Sequence, residues 1–260
     1  MPYERCSMIC PNPPCLSPLG LLPHSIVSKP AHPKADAFPM NFAARAFRTP
    51  RIWSNRELSR FASIYTGEVI KVSAWQDKDK EGSTYSQYFS SCAGYMISNF
   101  NGHQGGLQGW QNEIFLNLEK PSPEEHRLRY DVVFNHTTLE HVWDFRIAVR
   151  TLTELSRDTV ILVVPWLQPL HTTYGDYWRF SPHATARLLA EQGFTPLYLS
   201  WNTDRGCAVY VFCIASRHPE RWRKQFGVFG AAPDLDVTRA LEGDFAGRHI
   251  FDAADAALDG

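Results

Sequence analysis

No apolar run in this 260-residue chain approaches the roughly 18 residues that a membrane-crossing helix needs. The best early stretch, Leu19 to Val27, is short and broken by Pro23, and no small-residue cleavage site follows it. The chain therefore reads as carrying neither a membrane anchor nor a secretory signal. It also lacks a basic excess. Lys and Arg number 26 against 27 Asp and Glu, for a formal net charge of -1. That balance speaks against a dedicated nucleic-acid binder. Cysteine is scarce, and no pair has the C-x2-C spacing of a zinc knuckle. Cys6, Cys10 and Cys15, with His24 and His32 nearby, read as free thiols in preference to a zinc site, so no metal is expected. Cys92, Cys207 and Cys213 lie in apolar stretches and read as small buried hydrophobes. A reducing, cytoplasmic compartment follows.

What is present is unevenly distributed. Half of the 18 prolines fall within residues 1–39, without period, and that segment reads as a disordered tail. Residues 40–216 read as one α/β domain, and residues 217–260 as a weakly structured extension. Ser54 and Glu57 match a capping box, followed by Leu58, Phe61, Ala62 and Tyr65 at helical spacing, with Gly67 as the stop. Strands are expected at Glu68 to Trp75, Gly94 to Phe100, Glu113 to Leu118 and Tyr130 to Phe134. Three more are expected at Thr159 to Val164 (closed by Pro165), Pro196 to Trp201 and Ala208 to Ala215. Asp144 can cap a helix whose apolar face is Phe145, Ala148, Leu152 and Leu155. Ser181 and Pro182 open another helix, with Gly193 past its end. Thr159 to Val164 has the continuous apolar character of a strand buried on both faces of a parallel sheet.

Alternating strands and helices imply a three-layer αβα sandwich around a mostly parallel sheet. Ligands in such sheets bind beyond the carboxyl ends of the strands, where strand order reverses. The residues leaving those ends are Ser73 to Asp77, Asn99, Asn117 to Glu119, Asn135 to His141 and Pro165 to Arg179.

The stretches YDVVFNHTTLEHVWDF, DTVILVVPW, HTTYGDYWRFSPHATARLLAEQGF and TPLYLS follow one another between Tyr130 and Ser200. This series resembles the second half of class I S-adenosylmethionine-dependent methyltransferases of the small-molecule type. The resemblance implies a Rossmann-like, seven-stranded sheet with an antiparallel last strand. It also implies S-adenosyl-L-methionine as cofactor and methyl transfer to a small-molecule or glycan-like acceptor. The family's cofactor loop is an acid followed by G-x-G-x-G, where glycines let backbone approach the cofactor. Here Lys71 stands for the acid, Ser73 and Trp75 replace glycines, and Ala74 is small. Trp75 leaves room for a cofactor only if its ring turns away or stacks on the adenine. By the same resemblance Asn99 takes the place of the acid that binds the ribose hydroxyls, and Asn117 with Leu118 frames the adenine. Asn135 leaves the fourth strand beside the transferred methyl group.

His136 and His141 follow at that strand end, and either could take a proton from an acceptor, since imidazole titrates near working pH. Glu140 and His141 could equally fix the turn by hydrogen bonds. His171, Tyr174, Asp176, Tyr177 and Arg179 form the densest polar-aromatic group in the chain, on a loop where acceptor pockets are made. His171 and Asp176 are candidates for catalysis there, and Tyr174, Tyr177 and Arg179 for acceptor binding. Alternatively Tyr177, Trp178 and Phe180 plug the sheet end and Asp176 pairs with Arg179. Two other functions fit the same residues. The altered loop suits a non-catalytic subunit of this fold that has lost the cofactor. Asp77 and Asp79 make the D-x-D pair with which metal-dependent glycosyltransferases hold a nucleotide sugar.

Overall fold

The computed structural model describes residues 40–100, 106–170, 175–204 and 206–226, with side chains from residue 47 onward. The proline-rich tail, its cysteines, His171, Tyr174 and the chain after residue 226 lie outside the described residues.

Seven strands form one sheet: β1 (Glu68–Val72), β2 (Gly94–Asn99), β3 (Glu113–Phe115), β4 (Tyr130–His136), β5 (Ser156–Leu167), β6 (Thr195–Trp201) and β7 (Val209–Ser216). Their order is β3-β2-β1-β4-β5-β7-β6. The first five are parallel, and β7 runs antiparallel to both β5 and β6. This is the Rossmann-like sheet expected from the sequence. Strand order reverses between β1 and β4, which puts the crevice between their carboxyl ends.

Alternation along the strands sorts side chains to two cores. Ile70, Val72, Val133, Val160, Leu162 and Val164 join one cluster with Ala148, Leu152 and Leu155 of α2 (Phe145–Leu155) and with Leu188 and Leu189 of α3 (Pro182–Ala190). Val69, Val132, Phe134, Ile161 and Val163 join the other with Leu58 of α1 (Met40–Phe61), Ala62, Tyr65, Tyr85 and Phe89. Apolar residues on both faces explain why the central strands read as unbroken hydrophobic runs.

The caps of α2 and α3 form as expected. Asp144 Oδ1 accepts from the Ile147 amide at 3.1 Å, and Ser181 Oγ from the Ala184 amide at 3.2 Å. Gly193 follows α3 at φ +79°, a conformation that favours glycine. The capping box at Ser54 is corrected. The helix starts at Met40 and carries Pro50 within it, so Ser54 is interior and buried. Its hydroxyl donates to the Arg51 carbonyl at 2.8 Å, and Glu57 instead accepts from Arg60, Ser200 and Tyr198. Those bonds, with Arg60 donating to the Tyr198 hydroxyl at 2.8 Å, join α1 to β6. Pro165 does not end β5. It pairs with Tyr210 of β7 next to an irregularity between Pro165 and Leu167, where a missing amide is tolerated. Strand β3 is shorter than expected, and β4 runs two residues further, to His136.

Leu152 is fully buried where α2 meets the sheet. Leu152→Ala is expected to cost about 3 kcal/mol by urea denaturation. Ser181→Ala, which loses only a cap, is expected to cost about 1 kcal/mol.

Candidate functional site

Beyond the carboxyl ends of β1 to β4 lies a cavity of about 1000 Å³. Its walls come from α1 (Phe47, Arg48, Arg51), the loop after β1 (Ser73, Trp75, Lys80) and the end of β2 (Asn99, Phe100). Leu116 to Glu119 after β3 close one side. Thr137, Thr138 and Glu140 to Val142 after β4, with Gln168 and Tyr210, close the other.

The loop after β1 explains how this space stays open without glycines. Ser73, Trp75 and Asp77 take φ of +58°, +50° and +58°. Left-handed backbone at a residue with a Cβ costs about 1–2 kcal/mol, so something must hold each one. Asn99, at the end of β2, holds Trp75. Its Oδ1 accepts from the Trp75 amide at 2.5 Å, and its Nδ2 donates to the Trp75 carbonyl at 3.0 Å. The second Nδ2 hydrogen goes to Glu113 Oε1 at 2.5 Å. Glu113 in turn accepts from the amides of Gln108, Gly109 and Trp110. With its backbone clamped this way, Trp75 lies at the cavity edge and is 51% exposed rather than filling the crevice.

Asp77 is held by a buried cluster. Its Oδ2 accepts from the Ser86 amide at 3.0 Å, and its Oδ1 from the Tyr95 hydroxyl at 2.9 Å. Lys71 Nζ lies 3.3 Å from Oδ1 and 3.7 Å from the centre of the Tyr85 ring. Burial pulls the Lys71 ammonium down to about 8 against the opposing pull of Asp77. Asp79 is similarly committed. Its Oδ1 accepts from the amides of Glu81 and Ser83, and its Oδ2 from the Tyr88 hydroxyl. Both acids of the D-x-D pair are therefore spent on donors of the protein. Among the described residues no group of three or more His, Cys, Asp or Glu is placed to hold a metal ion.

The residues singled out from the sequence fall into distinct places. Ser73, Trp75, Asn99, Asn117, Leu118 and His141 line the cavity. Ala74 is buried behind it, its amide bonded to the Ser98 carbonyl at 3.0 Å. Asn135 is fully buried and donates to the Val72 carbonyl at 3.1 Å, tying β4 to β1. His136 lies below the cavity. The Ser54 hydroxyl is donated to Arg51, so His136 Nε2 donates to Ser54 Oγ at 2.9 Å, and its Nδ1 accepts from Thr137 Oγ1 at 3.0 Å and Arg51 Nη1 at 3.3 Å. Burial and the charges of Arg51, Lys71 and Lys80 hold this imidazole well below its usual value and keep it neutral. His141 Nδ1 meets the Gly175 carbonyl at 2.5 Å, which fixes the ring at the wall. Asp176 and Arg179 form a two-pronged pair at 2.5 and 2.8 Å behind the wall, where Arg179 Nε donates to the carbonyl of the lining residue Gln168 at 3.2 Å, and Tyr177 is half-exposed.

Arg51 and Glu140 are among the lining residues that were not singled out as site candidates from the sequence. Arg51 is held by neutral partners: Tyr85 Oη at 3.4 Å, His136 Nδ1 at 3.3 Å and Thr137 Oγ1 at 3.1 Å. Glu140 is 1% exposed, and neither carboxylate oxygen has a hydrogen-bond partner among the described residues. Burial pushes its carboxyl up to about 8. Glu140 was visible in L-E-H-V, but its lack of partners is a tertiary property.

No family model matches the chain, and no curated protein matches it. Solved structures do. A magnesium protoporphyrin IX methyltransferase from Synechocystis PCC 6803, solved with bound SAH, is 12% identical, with 69% of this chain and 89% of that one covered and a TM-score of 0.48. A 1,6-didemethyltoxoflavin-N1-methyltransferase from Burkholderia thailandensis, solved with 1,6-didemethyltoxoflavin and S-adenosylhomocysteine, is 15% identical. The match covers 68% of this chain and 85% of that one, with a TM-score of 0.44.

The clamp on the loop makes opposite forecasts for two neighbours. Trp75→Gly removes left-handed strain and a half-exposed ring, so it is expected to stabilise the fold by about 1 kcal/mol. Asp77→Gly also relieves a left-handed φ but leaves Lys71 buried without its carboxylate, and is expected to destabilise by about 3 kcal/mol. Urea midpoints of the two variants check both signs.

Proposed function

We propose that the chain is a methyltransferase that uses S-adenosyl-L-methionine to methylate a small molecule held in the cavity between β1 and β4. The observation that carries this reading is the loop after β1. It keeps left-handed backbone at Ser73, Trp75 and Asp77 and leaves about 1000 Å³ open at the strand ends. Strained backbone held by so many bonds is what a close approach to a ligand requires. Volumes of about 300–1,000 Å³ are usual for small-molecule sites.

When bound, the cofactor supplies an electrophilic methyl group on a sulfonium. The chain supplies binding and orientation. Ser73 and the backbone of the loop would lie along the cofactor's methionine and ribose. Asn117 and Leu118 would take the adenine, on a wall where Glu119 adds an exposed carboxylate. Asn99 acts through the loop, because its amide is committed to Trp75 and Glu113. Asn135 and His136 are positioning residues in the same sense, holding β1 and Arg51. His141 is the imidazole on the acceptor side. Arg179 and Asp176 shape the loop that carries Tyr177, with His171 and Tyr174 as further acceptor-side candidates. Methyl transfer is an in-line displacement, so most of the acceleration comes from such positioning.

The commitment of Asn99 favours a second reading, a non-catalytic subunit of the same fold, since no carboxylate replaces it at the end of β2. Calorimetry with S-adenosylhomocysteine decides between them. Saturable one-to-one binding is expected, weakened at least about tenfold by Asn117→Ala and lost in Ser73→Trp, whose indole fills the crevice. A folded protein that gives no binding heat would support the non-catalytic subunit and end the enzyme reading.

A further inference from the structure

We propose that Glu140 receives the proton of a hydroxyl-bearing acceptor, which makes the substrate class an alcohol or phenol rather than an amine. This rests on the methyltransferase reading above. Glu140 lines the cavity, is closed off from solvent, and has no hydrogen-bond partner on either oxygen among the described residues; His141 Nε2 lies 3.7 Å from Oε1, beyond hydrogen-bond reach. A buried carboxylate left without donors costs several kcal/mol, and an O–H group delivered by a ligand removes much of that cost. The fold could have avoided the cost with an apolar residue at this turn. The backbone already fixes the turn without the side chain, because the Glu140 carbonyl accepts from the Tyr177 amide at 2.8 Å.

The charge of the surroundings selects oxygen over nitrogen. Arg48, Arg51 and Lys80 line the same cavity, and among the described residues none of them has a carboxylate within ion-pair distance. Glu119 is exposed on the opposite, adenine-side wall, so beside Glu140 an ammonium acceptor would still enter against these three cations. A hydroxyl enters neutral, and the negative charge that builds on its oxygen as the proton leaves is attracted by the same three groups. In the step, the acceptor O–H bond breaks and its proton passes to the Glu140 carboxylate. The oxygen gains the methyl group, and the sulfonium it leaves becomes a neutral thioether. The groups facing Glu140 are Arg51 from α1, His141 beside it, Asp176 and Arg179 from the loop after β5, and Tyr210 from β7. With its carboxyl raised to about 8, Glu140 is matched to exchange a proton near neutral pH.

The test uses the full chain with phenol and benzylamine as matched probes, alone and with S-adenosylhomocysteine. Phenol is expected to bind by calorimetry, and at least about tenfold more weakly to Glu140→Leu. Benzylamine is expected to bind more weakly than phenol. Thermal melting supplies a readout free of any ligand. A folded-state value raised above the ordinary carboxylate value gives stability that is present at low pH and lost as pH rises toward about 8. Glu140→Gln and Glu140→Leu should therefore melt above the parent at pH 9, with the gain shrinking at pH 5. The shifted Lys71 is common to all three proteins and cancels. Tighter binding of benzylamine, no phenol binding, unchanged phenol affinity in Glu140→Leu, or lower melting of both variants at pH 9 would overturn the proposal. Phenol binding that depends on Glu140, without S-adenosylhomocysteine binding, would remove the methyltransferase reading and leave the hydroxyl site standing.

Discussion

The site depends on two side chains, Asn99 at the end of β2 and Asp77 in the loop after β1, that hold ordinary residues in a backbone shape natural to glycine. Asn99 grips both the amide and the carbonyl of Trp75, and Asp77 is fixed by Lys71, Tyr95 and Ser86. Without those grips, Ser73, Trp75 and Asp77 would relax out of positive φ, and the loop would fall across the strand ends. The cavity is therefore the product of a few short hydrogen bonds acting against local strain. A loop of glycines would need fewer of them but would lose more chain entropy on folding.

The residues around the loop are consistent with one another. Lys71, near the end of β1, pairs with Asp77 of the loop that follows. Trp75 takes left-handed backbone, and the residue at the end of β2 is an amide that can both accept from and donate to that one peptide unit. A carboxylate at that place could accept from the amide but could not also donate to the carbonyl. The amide at the end of β2 and the left-handed tryptophan it clamps are thus two parts of one arrangement. Arg51 belongs to a second polar group on the same side of the sheet, where Tyr85, Thr137 and a neutral His136 hold it without cancelling its charge.

Much of the sheet was legible because its strands are apolar runs with clear breaks, and both α2 and α3 announce their caps. The start of α1 was not, since Pro50 and a plausible capping box at Ser54 point to a later beginning. Helical packing against the sheet overrides that local signal. Within the site, the strand-end rule found Ser73, Trp75, Asn99, Asn117, Leu118 and His141 at the cavity. It could not separate lining residues from buttresses, because Asn135 and His136 leave a strand at the same level as the lining residues Thr137 and Thr138. Nor do Ser, Trp and Asp advertise left-handed φ. Glu140 sat in plain view, but whether a carboxylate has donors is decided by parts of the chain far away in sequence.

The first helix and the last strand meet at the cavity: Arg51 of α1 and Tyr210 of β7 both contribute to its wall, and α1 is bonded to β6 through Glu57, Arg60 and Tyr198. Proteins are synthesised from one end, so this has a temporal consequence. While a nascent chain still has its closing hairpin inside the ribosomal tunnel, one side of the cleft is absent, although the hydrogen-bond partners of Arg51 have already emerged. The wall that Tyr210 supplies is completed only once the final strand has been released.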